Sequence, residues 1–332
     1  MATFPFFRRW TAMSGFALAV LGLHGAPASA QYPTRPISIT VGFAAGGTSD
    51  VAARILGEHM SRTLKVPVVI ENRTGAGGSV AASAVTRADP DGYSIFLSDP
   101  GAYAINPLIF PENAKYNSAT DFTPIALVGQ SPLVLVVPKD KPFKTLAELT
   151  AYLKANPDKS SYASSGVAGI TQFGAELYMK RAGSLTALHI PYRGGAPMME
   201  ALLKSEADFG VAVLASAVPM IESGGVRALA LAGPSATKTV ADVKSFDALG
   251  LPNATASSWV IMMGPKGLPA DVVTKLNAAI NEAIGDATVR ERLLKAGIET
   301  YPQATPAQTG DYLAKELANY KGYQGELGSR LK

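Results

Sequence analysis

The chain has 332 residues, of which 47% are hydrophobic and 17% charged, so the composition excludes a disordered chain and predicts a large buried core. The length favours two lobes over one core. There are no cysteines, which excludes disulfides and thiol catalysis, and the three histidines are scattered, so we expect no metal and no cofactor. The net charge of +4 comes without a basic cluster, and we expect no nucleic-acid partner.

Residues 1–30 have the three parts of a secretion signal. Arg8 and Arg9 give a positive start, an apolar run extends from Ala12 to Leu23, and Ala28-Ser29-Ala30 matches the small-residue cleavage pattern. The apolar run is shorter than the ~20 residues that span a bilayer, which argues against a membrane anchor. We predict cleavage after Ala30 and export to the periplasm, by general secretion or by the twin-arginine route.

Strand and helix patterns alternate from Ile37 onward. The predicted elements are a strand at 37–41, a helix at 49–64, a strand at 68–70, an alanine-rich helix ending near residue 88, and a strand at 93–97. Three β-α units in a row predict a parallel, doubly wound sheet with helices on both faces.

A longer apolar segment at 125–137 predicts a crossover into a second lobe. The next predicted elements are helices at 145–155, 171–182 and 197–204 and strands at 162–164, 187–191, 208–214 and 226–232. A second crossover is predicted at 259–263, followed by helices near 273–284, 289–295 and 307–320. We therefore predict lobe 1 from residues 31–131 and 257–332, lobe 2 from residues 132–256, and two hinge segments between them.

The loops after these strands are the candidate site, because ligands of open α/β sheets bind at the carboxyl ends of the strands. The loop from Phe43 to Asp50 follows a strand and opens a helix, so glycines and free amides there favour an anion. An ordinary capped helix start, with Thr48 or Ser49 as the cap, explains the same residues.

The loop Arg73-Thr74-Gly75-Ala76-Gly77-Gly78 resembles a dinucleotide fingerprint, with Asp99 about 20 residues beyond it. The match fails because Val80 occupies the third glycine position. We expect instead a glycine turn that shapes the wall of the cleft.

A third loop, Ser164 to Gly169, combines hydroxyl groups with the start of a helix, and Tyr192-Arg193-Gly194 repeats this design. Arg193 is suited to pair with a carboxylate, although a solvated arginine at the edge of a lobe is the simpler interpretation.

The sequence argues against an enzyme. It contains no G-x-S-x-G, H-E-x-x-H or P-loop motif. His189 lies in an apolar strand pattern and is expected in the core, and His59 is expected at the surface of a helix. Without a histidine near a serine, nucleophilic catalysis has no base.

Taken together, the mature chain resembles the Bug family, the solute-binding proteins of tripartite tricarboxylate transporters. The resemblance covers nearly all of residues 32–330. It rests on these segments: Tyr32 to Ile37, Phe43 to Asp50, Glu71 to Gly78, Asp89 to Tyr93, Asp121 to Pro124, Tyr162 to Gly166, Pro191 to Gly194, and Trp259.

The resemblance implies a two-lobed α/β periplasmic binding protein of type II, a Venus flytrap. It implies capture of a small organic carboxylate and delivery to inner-membrane permease subunits, and we expect a monomer. In the family the loops matching 43–50 and 164–171 grip a ligand carboxylate, partly through water. The candidate ligand-binding residues are Phe43, Ala44, Ala45, Gly46, Gly47, Thr48, Asp50, Gly78, Asp99, Ser164, Ser165, Gly166, Gly169, Thr171, Tyr192, Arg193 and Gly194.

The sequence departs from the family pattern at several positions, so the identity of the ligand stays open. The family often has proline at the positions of Gly42 and Ala44, Gly-Ser at those of Ala168-Gly169, and histidine at that of Gln172. Dicarboxylates, tricarboxylates, acidic amino acids and aromatic acids are all candidates. Two alternative functions are a sensor that presents its ligand to a signalling receptor and an exported hydrolase with a base near Ser164 or Ser165.

Overall fold

The computed structural model describes residues 1–3, 32–157 and 159–332. Apart from residues 1–3, the predicted secretion signal and its cleavage site after Ala30 lie outside the described residues. Residues Pro33–Lys332 form one compact unit. In the part of the chain that is described, no helix combines the length and the apolar character needed to span a membrane.

Ten strands pair into one continuous sheet within the described residues. They are β1 (Ile37–Val41), β2 (Val68–Asn72), β3 (Ser94–Ser98), β4 (Phe122–Pro138), β5 (Ser161–Ser164), β6 (Leu188–Pro191), β7 (Phe209–Val213), β8 (Val226–Leu231), β9 (Ser257–Pro265) and β10 (Glu299–Thr300). The order across the sheet is β2-β1-β3-β9-β4-β7-β5-β6, and β8 and β10 each pair with β4.

Eleven α-helices cover this sheet in the same described ranges. They are α1 (Thr48–Leu64), α2 (Ser79–Val85), α3 (Asn106–Ile109), α4 (Pro111–Ala114), α5 (Leu146–Ala155), α6 (Ile170–Arg181), α7 (Gly195–Leu203), α8 (Leu214–Glu222), α9 (Ala270–Gly285), α10 (Ala287–Lys295) and α11 (Pro306–Leu327). A π-helical turn at Gly101–Ile105 precedes α3. The sequence patterns predicted neither this turn nor α3, α4 and α8, which are short.

The sheet is mixed, so the prediction of a parallel sheet holds only within each half. β1 is parallel to β2 and β3, and β5 is parallel to β6 and β7. The long strands β4 and β9 run antiparallel to their neighbours. A crossing strand that leaves one half and a second that returns must run in opposite directions, which makes the centre of the sheet antiparallel.

β4 links the two halves of the sheet. Its first part, Phe122–Pro132, pairs with β9, and its second part, Leu133–Pro138, pairs with β7 and β8. The residues of this strand are apolar on both faces and almost all buried, as expected for a strand covered by helices on both sides.

The carboxyl-terminal helix α11 contacts α6 on the other half of the sheet. Phe173 of α6 packs edge-on against Tyr320 and Tyr323, with ring centroids 5.3 Å apart in both pairs. Arg330 donates from Nε to Glu176 Oε2 at 2.6 Å, and Arg181 pairs with Glu326. The end of the chain, which is predicted to belong to lobe 1, therefore also contacts the segment predicted to form lobe 2.

Candidate ligand-binding site

Two adjoining cavities lie where the loops of the two halves meet. The outer cavity has a volume of about 400 Å³ and is lined by Gly42, Phe43, Thr74, Gly75, Ala76, Gly77, Gly78, Ser165, Gly166, Val167, Pro191, Tyr192 and Arg193. The inner cavity has a volume of about 20 Å³ and is lined by Phe43, Gly47, Thr48, Ser49, Asp99, Ser165, Ile170, Thr171, Gly195, Val213, Ser216 and Ser258. Phe43 and Ser165 border both cavities. A small organic molecule fits the outer cavity, and about one water molecule fits the inner one.

Four helices start at the inner cavity. First-turn residues of α1, α6, α7 and α8 line it, namely Thr48 and Ser49, Ile170 and Thr171, Gly195, and Ser216. The start of a helix carries about half a positive charge and free backbone N–H groups. No lysine, arginine or histidine is among the described residues that line this cavity. Helix starts and hydroxyl groups, rather than cationic side chains, therefore favour an anion here.

Side chains of α6 hold the loop that precedes it. The Ser165 backbone N–H donates to Thr171 Oγ1 at 2.8 Å, and the hydroxyl groups of these two residues lie 2.9 Å apart. The Ala168 N–H donates to Gln172 Oε1 at 2.6 Å. These bonds orient Ser165, which is only 7% exposed, toward both cavities.

Asp50 organises the first loop from behind the cavities and lines neither of them. It accepts hydrogen bonds from the Gly46 N–H at 2.9 Å, from Arg54 and from Asn72. Burial opposes ionisation, but the hydrogen bonds from these three residues hold the pKa of Asp50 below its usual value. Asn72 also donates to the Phe43 carbonyl oxygen at 2.9 Å. The Asp50 carboxylate therefore fixes the shape of the loop.

Loops from the two halves touch beside the cavities. The Ala44 N–H donates to the Arg193 carbonyl oxygen at 3.2 Å, and the hydroxyl groups of Thr48 and Ser216 lie 3.1 Å apart. Gly194 has a φ of +135°, and a Cβ atom on it would lie 2.9 Å from the Ala44 nitrogen. This close approach requires glycine at position 194.

The structure brings most of the sequence-predicted residues to the two cavities. Residues on the lining are Phe43, Gly47, Thr48, Gly78, Asp99, Ser165, Gly166, Thr171, Tyr192 and Arg193. Residues on neither lining are Ala44, Ala45, Gly46, Asp50, Ser164, Gly169 and Gly194. Ala45 and Gly46 are exposed to solvent.

Sequence reasoning missed several lining residues. Ser216 and Val213 come from the β7–α8 junction and Ser258 from β9, neither of which has a glycine-rich loop signal. Their contribution follows from the long-range pairing of β4 with β7 and β9. Gly77 lay within the Gly75 to Gly78 turn that the sequence placed at the wall of the cleft, and it does line the outer cavity.

Asp99 lies at the end of β3, is 4% exposed and borders the inner cavity. Its Oδ1 accepts a hydrogen bond from the Ala102 N–H at 2.9 Å, in the first turn of the π-helical segment. Burial raises the pKa of Asp99 to about 7, and the backbone hydrogen bonds only partly oppose this.

A histidine does lie near a serine, so the expectation that none would is wrong. His189 Nε2 is 2.6 Å from Ser164 Oγ, and the imidazole stacks on Tyr162 with ring centroids 4.9 Å apart. The parallel pairing of β5 and β6 sets these residues side by side, which spacing along the chain cannot reveal. Ser164 is 0% exposed and lines neither cavity, so its hydroxyl group does not reach a ligand there.

The environment of His189 predicts a loss of stability in acid. Burial lowers the pKa of the half-buried His189 from 6.5 to about 4. The stability that the neutral imidazole contributes to the folded state is fully present above pH 6.5. It is lost as the pH falls from 6.5 to about 4, because the imidazole of the unfolded chain binds a proton at a higher pH than that of the folded chain. We expect a loss on the order of 1–2 kcal/mol, since solvent screens a half-buried ring.

Urea denaturation at pH 7.5 and pH 4.5 measures this loss, and His189→Gln should remove that part of the difference. His59→Gln, on α1, is the control and should leave it unchanged. An equal pH dependence in the His189→Gln variant and the parent protein would contradict the assignment.

The sequence matches a known family over most of its length. Residues 52–324 match the family described as Tripartite tricarboxylate transporter family receptor, TctC. The protein BugT of Bordetella pertussis is 34% identical over 325 residues, which cover 98% of this chain and 99% of BugT. The chain belongs to this receptor family. The resemblance to the Bug proteins drawn from the sequence is thereby confirmed.

Solved structures of related proteins have the same fold. The periplasmic binding protein BugD is 33% identical, covers 90% of this chain and 99% of its own, and superposes with a TM-score of 0.85. MatC from Rhodopseudomonas palustris, solved with bound malate, is 31% identical, covers 88% of this chain and 99% of its own, and has a TM-score of 0.83. This member of the TctC receptor family therefore has the two-lobed fold of periplasmic binding proteins, and its role is solute binding.

Proposed function

We propose that this TctC-family receptor captures a small organic carboxylate outside the cytoplasm and delivers it to a tripartite tricarboxylate-type permease in the inner membrane. One observation carries the proposal: four helix starts converge on a hydroxyl-lined cavity that shares Phe43 and Ser165 with a larger one. An anionic end group suits the mouth of the inner cavity, where one water molecule fits between it and the helix starts, and the remainder of the ligand suits the outer cavity. The malate bound to MatC supports a carboxylate.

The helix starts supply only part of the binding free energy. Each contributes roughly 0.3–2 kcal/mol toward an anion. A micromolar ligand requires about 8 kcal/mol in total, so hydrogen bonds and apolar contacts in the outer cavity must supply the remainder. In this proposal a water molecule bound in the inner cavity bridges the ligand carboxylate to Thr48 and Thr171, whose side chains are buried.

We propose that the ligand is enclosed by movement of the two lobes about β4 and β9. The proposed lobes are residues 31–131 with 257–332, and residues 132–256. The change of pairing partners within β4 at Pro132 and Leu133 supports this boundary. Helices α11 and α6, which are in contact, would then have to slide past each other or separate when the cleft opens.

We also propose that the mature protein is a periplasmic monomer that starts at Gln31. The three-part leader supports this start. Intact-mass spectrometry of the periplasmic protein should show the loss of residues 1–30. Recovery of the full-length chain from membranes would contradict it.

Thermal unfolding with a panel of acids tests the proposed ligand class. The panel contains malate, adipate, citrate, glutamate and benzoate, and a matching neutral diol serves as the control. A ligand at one hundred times its Kd stabilises the folded state by about 2.7 kcal/mol, which is a measurable shift in Tm. If no member shifts Tm and titration calorimetry detects no binding, the carboxylate proposal is wrong.

Ser165→Ala should weaken binding of the best acid by about 0.5–1.5 kcal/mol, the value of one neutral hydrogen bond. The Ser165 hydroxyl borders both cavities and pairs with Thr171. Ser223→Ala removes an exposed hydroxyl that bonds only within its own turn and should leave Kd unchanged. Equal affinities of Ser165→Ala and the parent protein would place the carboxylate elsewhere.

We propose that the protein is not an enzyme, despite the Ser164–His189 pair. The burial of Ser164 outside both cavities supports this, as does the family's role in binding. An ester hydrolysis assay comparing the parent protein with Ser164→Ala should give equal background rates. Activity that depends on Ser164 would favour the hydrolase alternative.

A further inference from the structure

Asp99 is the one acidic residue among the described residues that line the two cavities. Asp99 lines the inner cavity, and its carboxyl group accepts hydrogen bonds from the backbone N–H groups of Ala102, Gly101 and Asp99 itself. A carboxyl group next to a site that favours an anion requires an explanation, because a ligand carboxylate at the mouth of the inner cavity would bring a second negative charge close to Asp99.

The titratable groups packed near Asp99 do not offset its charge. Tyr103 in the π-helical turn, Tyr116 and Tyr320 of α11 are phenols, and burial raises the pKa of all three, so they stay neutral. On the α6 side the cavity is bordered by Ile170 and Thr171, neither of which carries a charge.

The charged groups of the neighbouring elements are engaged elsewhere or distant. Asp50 of α1 is paired with Arg54, and Glu316 of α11 accepts a hydrogen bond from Trp259 of β9 at 2.8 Å. Arg193 lines the outer cavity and not the inner one. No cationic side chain is hydrogen-bonded to the Asp99 carboxyl among the described residues.

Two carboxylates that share a buried site do not both stay ionised, because each raises the pKa of the other. On the basis of the proposed function, we propose that Asp99 binds a proton when a carboxylate ligand enters the site. The protonated Asp99 then donates a hydrogen bond to the ligand or to the water beside it. The proton comes from solvent, and no covalent bond changes. Asp99 thereby selects for anionic end groups that can accept a hydrogen bond.

Burial raises the pKa of Asp99 to about 7, so a further rise caused by a nearby carboxylate is enough to protonate it at neutral pH. Binding then takes up a proton at neutral and alkaline pH, and affinity falls as the pH rises. Above pH 7 the Kd should increase roughly tenfold per pH unit, because the protonated fraction of Asp99 falls by that factor. The ligand carboxyls, with ordinary pKa values near 4, stay ionised throughout.

Titration calorimetry with malate, or with whichever acid of the panel binds more tightly, tests the proposal between pH 6.5 and 9. Measurements at pH 8.5 in two buffers of different ionisation enthalpy give the number of protons taken up. We expect about one proton per ligand, because Asp99 is ionised before binding and protonated after it. No proton uptake by the parent protein, with a Kd independent of pH, would overturn the proposal without any variant.

Asp99→Asn keeps the acceptor for the Ala102 N–H and supplies a permanent hydrogen-bond donor. It should bind the same acid with an affinity near that of the parent protein at pH 6.5, without proton uptake and without loss of affinity at pH 9. Asp140→Asn removes an exposed carboxylate and should keep the pH dependence of the parent protein.

Two results with the variant would overturn the role of Asp99. One is a pH dependence equal to that of the parent protein. The other is a folded Asp99→Asn protein that binds no acid at any pH, which would mean that the ionised carboxylate is required. If instead the parent protein and both variants bind no acid of the panel at any pH, the carboxylate function itself has failed.

Discussion

Gly194→Ala is expected to weaken ligand binding by roughly 1–3 kcal/mol, which is about five- to 150-fold in Kd. Gly194 has a φ of +135°, a backbone conformation that residues other than glycine rarely adopt. Its new Cβ atom would lie 2.9 Å from the Ala44 nitrogen, which donates to the Arg193 carbonyl oxygen. The added methyl group therefore forces apart two loops that meet beside the cavities, and it disturbs the lining that these loops provide. Titration calorimetry with the best acid measures the change.

Gly224→Ala is the control for this substitution. Gly224 also has a positive φ, +69°, but no atom lies within 4 Å of a Cβ atom built on it. That variant should lose up to about 1 kcal/mol of stability in urea denaturation and keep the Kd of the parent protein. If Gly194→Ala binds as tightly as Gly224→Ala, the contact between residues 44 and 193 does not form in the bound state.

Arg193→Glu is expected to weaken the binding of dicarboxylates by about 3 kcal/mol, or more than a hundredfold. Arg193 is exposed at the outer cavity, and among the described residues its side chain has neither an ion pair nor a hydrogen bond. A second ligand carboxylate that reaches it would gain a charge-assisted hydrogen bond worth about 1.5–3 kcal/mol. The reversed charge removes this bond and adds repulsion.

Measuring both adipate and benzoate distinguishes a direct contact between Arg193 and a second ligand carboxylate from a long-range electrostatic effect of Arg193. The loss should be large for the dicarboxylate and only a few-fold for the monocarboxylate, since screening weakens long-range interactions at physiological salt. Arg87→Glu makes the same change in net charge at an exposed position next to α2 and should leave both Kd values unchanged. Equal losses for the two acids in Arg193→Glu would argue against a distal carboxylate at Arg193.

The contrast between Thr171 and Asp50 shows how far a sequence pattern reaches. Both lie at helix starts after strands, and both were predicted at the site. Thr171 lines the inner cavity, whereas Asp50 turns away and accepts hydrogen bonds from Gly46, Arg54 and Asn72. Whether a side chain at a helix start faces a ligand or its own loop depends on partners distant in the sequence, which a local pattern does not contain.

Periodicity and turn residues in the sequence by themselves determined most of the strands and long helices, because hydrophobic spacing and glycine or proline punctuation act locally. The segments from Phe43 to Asp50 and from Glu71 to Gly78 also determined the family. Only the tertiary structure decided the antiparallel centre of the sheet, the position of Ser216 of α8 at the inner cavity, and the placement of His189 beside Ser164. It also decided that Asp99 is enclosed with hydroxyl groups and helix starts. These features depend on pairing between segments far apart in the chain, and such pairing leaves no periodic signal in either segment alone.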